Sequence, residues 1–262
     1  MSDVSESLSE SNLLDFANAI MTTDKKLKIV SRKVGESSIL GIAKGSGMIE
    51  PNMATMLVYI LTDAIIPENK IDELLSRSVS ESFNSISVDT DTSTSDTVAL
   101  MANNNIAVDL AEFSETLSEL CLDLAKSVLE DAEGAEHIIE VEISKCVSKQ
   151  EAKKIGKSIV NSPLVKTAVY GGDPNWGRIV MAIGKTSDIL LSKKDIIIYF
   201  GAHKIFENEK EIVENIGKIR LYLKQEKYIK IKVEMNTGEL SHKVYGCDLT
   251  ESYIEINSYY QT

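Results

Sequence analysis

The sequence predicts a layered α/β protein with mixed or antiparallel sheets flanked by helices. Three observations lead there. Segments with helical spacing and segments with strand alternation are interspersed without a regular βαβ repeat, which argues against an all-parallel sheet. The strand-rich segments gather toward the C-terminal end. No Pro- or Gly-rich linker and no internal repeat divides the 262 residues, a length that buries a core in one large or two small domains.

Taken in order, residues 1–12 are rich in Ser and Glu and read as a frayed start. Residues 13–21 (LLDFANAIM) have helical spacing. The stretch 27–43 reads as two strands around a turn at Gly35-Glu36. A Gly-rich loop occupies 44–52. From Thr55 through Ile66 the chain is apolar, and its β-branched and aromatic content predicts a buried strand, with a helix as the alternative. Pro67 then opens a helix with Glu68 in its first turn, and Ile71, Leu74, Leu75 and Val79 form its apolar stripe. Residues 89–97 (DTDTSTSDT) are wholly polar and read as a loop or helix cap. The clearest helix covers 106–132, with Gly134 just past its end. A strand at 137–145 is followed by a helix over 148–161, where Ser148 and Glu151 make a capping box. Strands are predicted at 194–200, 218–223, 228–235 and 241–248, with a turn at Asn236-Thr237-Gly238.

The net charge of −12 makes nucleic acid and anionic membranes poor partners. Cys121, Cys146 and Cys247 are far apart, and no CxxC pair exists; reduced structural thiols fit better than zinc or redox chemistry. The N-terminus lacks the apolar core of a signal peptide, and no apolar run is long enough to span a membrane. A soluble cytoplasmic protein is the expectation. His137, His203 and His242 have no Ser or Cys partner that sequence can place and read as structural.

Chemistry concentrates at Lys44-Gly45-Ser46-Gly47-Met48-Ile49-Glu50-Pro51-Asn52-Met53-Ala54-Thr55. A threonine hydroxyl is a weak nucleophile without a neighbouring base. Breaking the peptide bond before it supplies one, because an α-amine titrates near about 7.7–8.0 and is partly neutral at cellular pH. The same hydroxyl makes the break by attacking the preceding carbonyl, which needs a tightly turned backbone. Two glycines and a proline provide the turn, and the small Ala54 keeps the carbonyl approachable. By residue type alone, a Thr heading an apolar strand is more often a plain strand residue. Gly45-Ser46-Gly47 is no Walker loop, since its Lys precedes the glycines.

The whole string AKGSGMIEPNMATML-VYILTDA resembles the self-cleaving segment of the ornithine acetyltransferase (glutamate N-acetyltransferase, ArgJ) family. AIMTTD at 19–24, SVDTDTSTSDTVALMAN at 87–103, DAEGAEHIIEV at 131–141, SPLVKTAVYGGDPNWGRIVMAIG at 162–184 and CDLTESYIEINSYYQT at 247–262 resemble further blocks of that family, in the same order. The resemblance covers nearly the whole chain. It implies the ArgJ/DmpA-like self-processing fold. It also implies cleavage between Ala54 and Thr55, giving an alpha-chain portion at 1–54 and a beta chain at 55–262 with Thr55 as its catalytic first residue.

The implied reaction moves an acetyl group from N-acetylornithine to glutamate through an acetyl-threonine, within arginine biosynthesis. No cofactor is implied, although some members take acetyl-CoA as donor. Lys44, Glu133, Asn257 and Thr262 match substrate contacts of the family, and the resemblance implies an assembly of two alpha and two beta chains. Without it, Lys44 is a loop cation, Glu133 a surface acid at a helix end, and Asn257 and Thr262 an ordinary tail. A negative charge at a helix C-terminus opposes the dipole, which hints that Glu133 has a task elsewhere.

The Asp89–Thr97 run lacks the EF-hand glycine and glutamate, since Thr94 and Leu100 stand there. A polar loop with Thr90, Thr92 and Asp96 hydrogen-bonding locally is expected instead. Asp173–Arg178 holds the only Trp and reads equally as a pocket or subunit element or as a packed turn. Family members also carry an additional N-terminal segment with the Thr-Gly pair of the oxyanion hole, and losing one such donor costs about 10²–10³ in rate. Three origins stay open for a chain without it: a piece of a longer protein, a separate polypeptide supplying the rest, or a remnant. Two other functions compete: a self-processing amidohydrolase that passes the acyl group to water, and an inactive or partner-dependent fragment.

Overall fold

The computed structural model describes residues 12–50, 56–92, 95–186 and 195–259. Two sheets and eight α-helices make up these residues, the layered mixed α/β architecture predicted.

The first sheet has the order β1-β2-β3-β4. A short helix α1 (Leu13–Ala19) precedes β1 (Lys28–Val34) and β2 (Ser37–Lys44), which pair antiparallel around the predicted turn. β3 (Leu57–Ala64) runs antiparallel to β2, with Leu57 opposite Lys44. The chain therefore leaves the sheet after Lys44 and re-enters it at the facing Leu57. Within the stretch predicted as a strand or a helix, Leu57–Ala64 adopts the strand, because alternate residues Val58, Ile60 and Ala64 point into the core. Helix α2 (Glu68–Glu81) starts after Pro67 and lays its predicted stripe on the same core.

Then comes a departure from the sequence reading. Residues 97–106 form β4, pairing parallel with β3, and the long helix α3 starts only at Leu110. Asp109 caps α3 by accepting the Ala111 and Glu112 N–H groups. β4 is an edge strand whose Asn103, Asn104 and Asn105 are largely exposed, so it carries no apolar alternation to read. α3 (Leu110–Glu130) buries Phe113, Leu117, Leu120, Cys121, Leu124 and Val128 at helical spacing.

The second sheet has the order β10-β5-β9-β6-β7-β8. It consists of β5 (Ile138–Cys146), β6 (Ile197–Phe200), β7 (His203–Glu207), β8 (Lys210–Glu211), β9 (Tyr228–Glu234) and β10 (Leu240–Cys247). Helices α4 (Lys149–Val160), α5 (Pro163–Tyr170), α6 (Trp176–Gly184) and α7 (Ile216–Gln225) accompany it, and α8 (Glu251–Tyr259) follows β10. Ser148 caps α4 by accepting the Glu151 N–H at 3.0 Å, and Glu151 reaches back to the Val147 N–H at 3.1 Å. Ile86, after α2, makes an isolated bridge to Tyr245 of β10; Ile138, Tyr245 and Cys247 from the second sheet pack into the core of the first.

The predicted strand at 218–223 is wrong: it lies inside α7. Ile219, Leu221 and Leu223 alternate as in a strand, but only Ile219 and Leu223, four apart, are buried, while Leu221 is 56% exposed. The tertiary core selected the helical subset of an ambiguous pattern. Accordingly, Leu223→Ala is expected to cost about 2–5 kcal/mol, as for other buried leucines. Leu221→Ala should stay within about 0.5 kcal/mol, as surface changes do. Urea unfolding of the two variants distinguishes a helix from the strand, in which both side chains would face the same way.

Candidate functional site

The site is built around a buried charge. Lys28 opens β1 and is 2% exposed. Its Nζ lies 2.6 Å from Asp24 Oδ1 and 2.7 Å from Asp131 Oδ2. Asp24 also accepts the Gly45 N–H at 2.6 Å, and Asp131 accepts the N–H groups of Lys25 and Lys26 at 2.9 and 3.2 Å. Thr23 Oγ1 meets Ser46 Oγ at 2.6 Å. One ammonium thus ties together the turn before β1, the turn after β2 and the C-terminal end of α3. Burial pushes the Asp24 carboxyl upward, but the Lys28 hydrogen bond, the Gly45 N–H and the Lys28 charge together outweigh it and hold it below its usual value.

That frame places the predicted residues. Lys44, 8% exposed, ends β2 immediately before the Gly45-Ser46-Gly47 turn. Glu133 lies three residues beyond α3, so it does not sit in the helix's last turn, and Asp131 is the acid at the cap. The Glu133 N–H donates to Ser46 O at 3.0 Å. Its carboxylate covers Gly47 so closely that a Cβ there would lie 2.6 Å from it. Asn257 Nδ2, on α8, donates to Glu133 Oε2 at 3.2 Å. α8 is held by Thr250, whose hydroxyl donates to Gly134 O at 2.6 Å. Gly134 has φ +69°, and a Cβ there would meet the Tyr253 nitrogen at 2.4 Å, so only glycine fits. The structure therefore gathers Lys44, Glu133 and Asn257 about one turn. Ala54, Thr55 and Thr262 lie outside the described residues.

The polar run around 89–97 does not bond chiefly within itself. Asp89 accepts the N–H groups of Met48 and Ile49 at 2.7 and 2.9 Å, and Thr92 Oγ1 donates to Glu50 O at 3.1 Å. Asp96 accepts the Met56 N–H. Lys157 on α4 pairs with Glu50 at 3.0 Å. Both shoulders of the 51–55 stretch are thus held by acids of one run and by a cation from the second layer.

Sequence reading missed Asp24, Lys28, Asp131 and Asp89 as site-building residues. Their one signal is that the acids fall inside polar blocks beside the motif. His242 does have a serine partner, Ser85 at 2.9 Å, contrary to expectation. Ser85 is fully buried, so the pair serves packing. His137 pairs with Asp248 at 2.6 Å, and that hydrogen bond raises the imidazole above its usual value. Trp176 stacks on Phe206 at 4.4 Å in the second layer, and its Nε1 donates to Glu211 at 2.7 Å, which favours the packed-turn reading. The three cysteines are free and buried.

Comparisons with known proteins identify the family. The model of the ArgJ family matches residues 1–262. Arginine biosynthesis bifunctional protein ArgJ 2 of Clostridium acetobutylicum is 50% identical over 98% of this chain and 66% of its own length. Glutamate N-acetyltransferase Oat2 of Streptomyces clavuligerus is 43% identical over 94% of this chain and 64% of its own. The chain spans just under two thirds of the length of such curated relatives. The crystal structure of Arginine biosynthesis bifunctional protein argJ from Bacillus halodurans superposes with a TM-score of 0.73 at 38% identity, covering 77% of this chain and 98% of that one.

The buried triad makes an acid-sensitive joint. A carboxyl held below its unfolded value of about 3.9 contributes stability that is fully present above that value and is lost as pH falls through the folded value. The urea midpoint of the wild type should therefore drop as pH is lowered below about 4, and Asp24→Asn should flatten that drop. At neutral pH, Lys28→Met leaves two buried carboxylates uncompensated and should cost about 3–5 kcal/mol.

Proposed function

The chain belongs to the ArgJ family, and on that premise we propose that it moves an acetyl group from N-acetylornithine to glutamate through an acetyl ester on Thr55. The observation that supports the reading is the contact of Glu133 with the Ser46–Gly47 turn that Lys44 directly precedes. N-Acetylornithine and glutamate each carry a carboxylate and an amino group. Lys44 takes the carboxylate, Glu133 takes the ammonium, and Asn257 orients Glu133. Thr262 completes the contacts on the resemblance alone.

Thr55 becomes competent by self-cleavage. Its Oγ attacks the Ala54 carbonyl carbon, the C–N bond breaks, and the hydroxyl proton ends on the departing nitrogen, leaving an ester. Water then hydrolyses the ester, freeing the Ala54 carboxyl and restoring the hydroxyl. The new α-amine serves as base in the transfer: it accepts the hydroxyl proton as Oγ attacks the acetyl carbonyl and returns it to the leaving ornithine amine. Glutamate's amine next attacks the acetyl-threonine, regenerating the hydroxyl.

Two facts support the division into 1–54 and 55–262. β2 and β3 lie on opposite sides of the break and pair along their lengths, so the pieces remain joined by a sheet. The Bacillus halodurans chain matches only 77% of this one over nearly its whole length, and the stretch after Ala54 is about four fifths of the chain. On the resemblance alone the proposal extends to two copies of each piece, in the cytoplasm. Among the described residues no helix is long and apolar enough to cross a membrane.

Intact-mass measurement should show the wild type as two pieces divided at Ala54–Thr55 and Thr55→Ala as one chain. Glutamate-dependent acetyl transfer from N-acetylornithine should be absent in Thr55→Ala. In Glu133→Gln it should show a KM raised by about tenfold, the effect of losing one charge-assisted contact. Acetyl-CoA in place of N-acetylornithine shows whether it too is a donor. Acetyl release that does not depend on glutamate would instead establish a hydrolase.

A further inference from the structure

We propose that Asp96 is a positioning residue for Thr55, acting through the peptide that joins Thr55 to Met56. The inference rests on the function proposed above and adds to it a residue outside the substrate contacts.

Met56 is 1% exposed and held at both of its polar backbone atoms. Its N–H donates to Asp96 Oδ1, and its carbonyl accepts the Thr97 N–H at 3.0 Å. The Met56 nitrogen is bonded to the carbonyl carbon of residue 55. A grip on that N–H therefore holds the Met56 end of the peptide unit that the two residues share. Displacing a nucleophile by about 1 Å costs about 10²-fold in rate, so a device that fixes this joint has a large effect available.

The choice of a carboxyl is costly. Asp96 is 8% exposed, and its Oδ2 is buried without a hydrogen-bond partner among the described residues. A neutral side chain would accept the same N–H without that penalty. What the carboxylate adds is a stronger, charge-assisted bond that depends on its ionisation. Burial pushes the carboxyl up to about 6, against the opposing effects of the Met56 N–H and the Lys44 charge. Lys44 is the cation facing it from β2; α2 and the turn after it present Leu75, Ser76, Val79, Phe83 and Asn84, none of which titrates. These side chains wall a hollow of about 160 Å³ against the carboxyl. Above about pH 6 the ionised group grips the Met56 N–H strongly; below it, the protonated group accepts weakly.

The test follows self-cleavage of the full chain by intact mass across pH 5–8, for the wild type, Asp96→Asn and Asp96→Glu, with circular dichroism as the check on folding. The wild-type rate should rise with pH through a midpoint near 6. Asp96→Asn should be at least tenfold slower at pH 7.5 and lose that step. Asp96→Glu should retain a titrating step with a displaced midpoint. A folded Asp96→Asn that cleaves with the wild-type rate and profile overturns the role of Asp96 while leaving Thr55 as nucleophile. If Asp96→Asn does not fold, Asp96→Glu decides, and an undisplaced wild-type profile overturns the proposal. A wild type that stays whole at every pH overturns both readings.

Discussion

Everything at the candidate site hangs from the ammonium of Lys28. It is buried, it faces two buried carboxylates, and each carboxylate also receives backbone N–H groups from a different turn. A buried ion pair adds little net stability over a well-packed apolar cluster, because desolvation offsets the Coulombic gain. Its effect here is geometric. A methionine at position 28 would fill the space but would leave the Asp24 and Asp131 carboxylates without their cation. The Gly45 and Lys25–Lys26 backbones that those carboxylates hold would lose a fixed reference. The turn carrying Lys44, Ser46 and Gly47 stands where it does because Asp24 grips Gly45.

The second constraint is the sheet. β2 and β3 pair antiparallel, so the loop between them begins and ends at facing residues, Lys44 and Leu57. The Asp89 carboxylate fastens its first half through Met48 and Ile49, and Asp96 fastens its exit at Met56. Lys157 and Lys166 reach across from the second layer, the first to Glu50 and Ile86 O, the second to Val88 O at 2.9 Å. The second sheet contributes no predicted site residue of its own. Its helices and the strand ends at Tyr245 and Cys247 buttress the first layer, and β10 leads into α8, which carries Asn257.

Much of the fold was legible from local pattern. The hairpin of β1 and β2 shows as apolar alternation interrupted at Gly35, and α3 as a helical stripe over 21 residues. α4 announces itself by Ser148 and Glu151. The failures have local causes too. β4 is polar and lies at an edge, so nothing marks it as a strand. The α7 segment satisfies strand and helix patterns together, and only the core it packs against distinguishes Ile219 and Leu223 from Leu221.

The motif from Lys44 to Thr55 and the substrate-contact candidates Lys44, Glu133 and Asn257 were within reach of the sequence, because their signal is an ordered string of residues. What the chain order could not supply is which of its 40 acidic residues are drawn inside. Lys28 and Asp131 lie 103 positions apart, and Asp96 reaches Met56 across 40. Residue type sets the energy of burying such a group, but packing decides which ones are buried and which cation or N–H each one meets. Most segments and the Lys44–Thr55 motif were therefore legible in the local sequence, whereas β4, the choice of helix at α7 and the joints around the motif were decided only in the folded state.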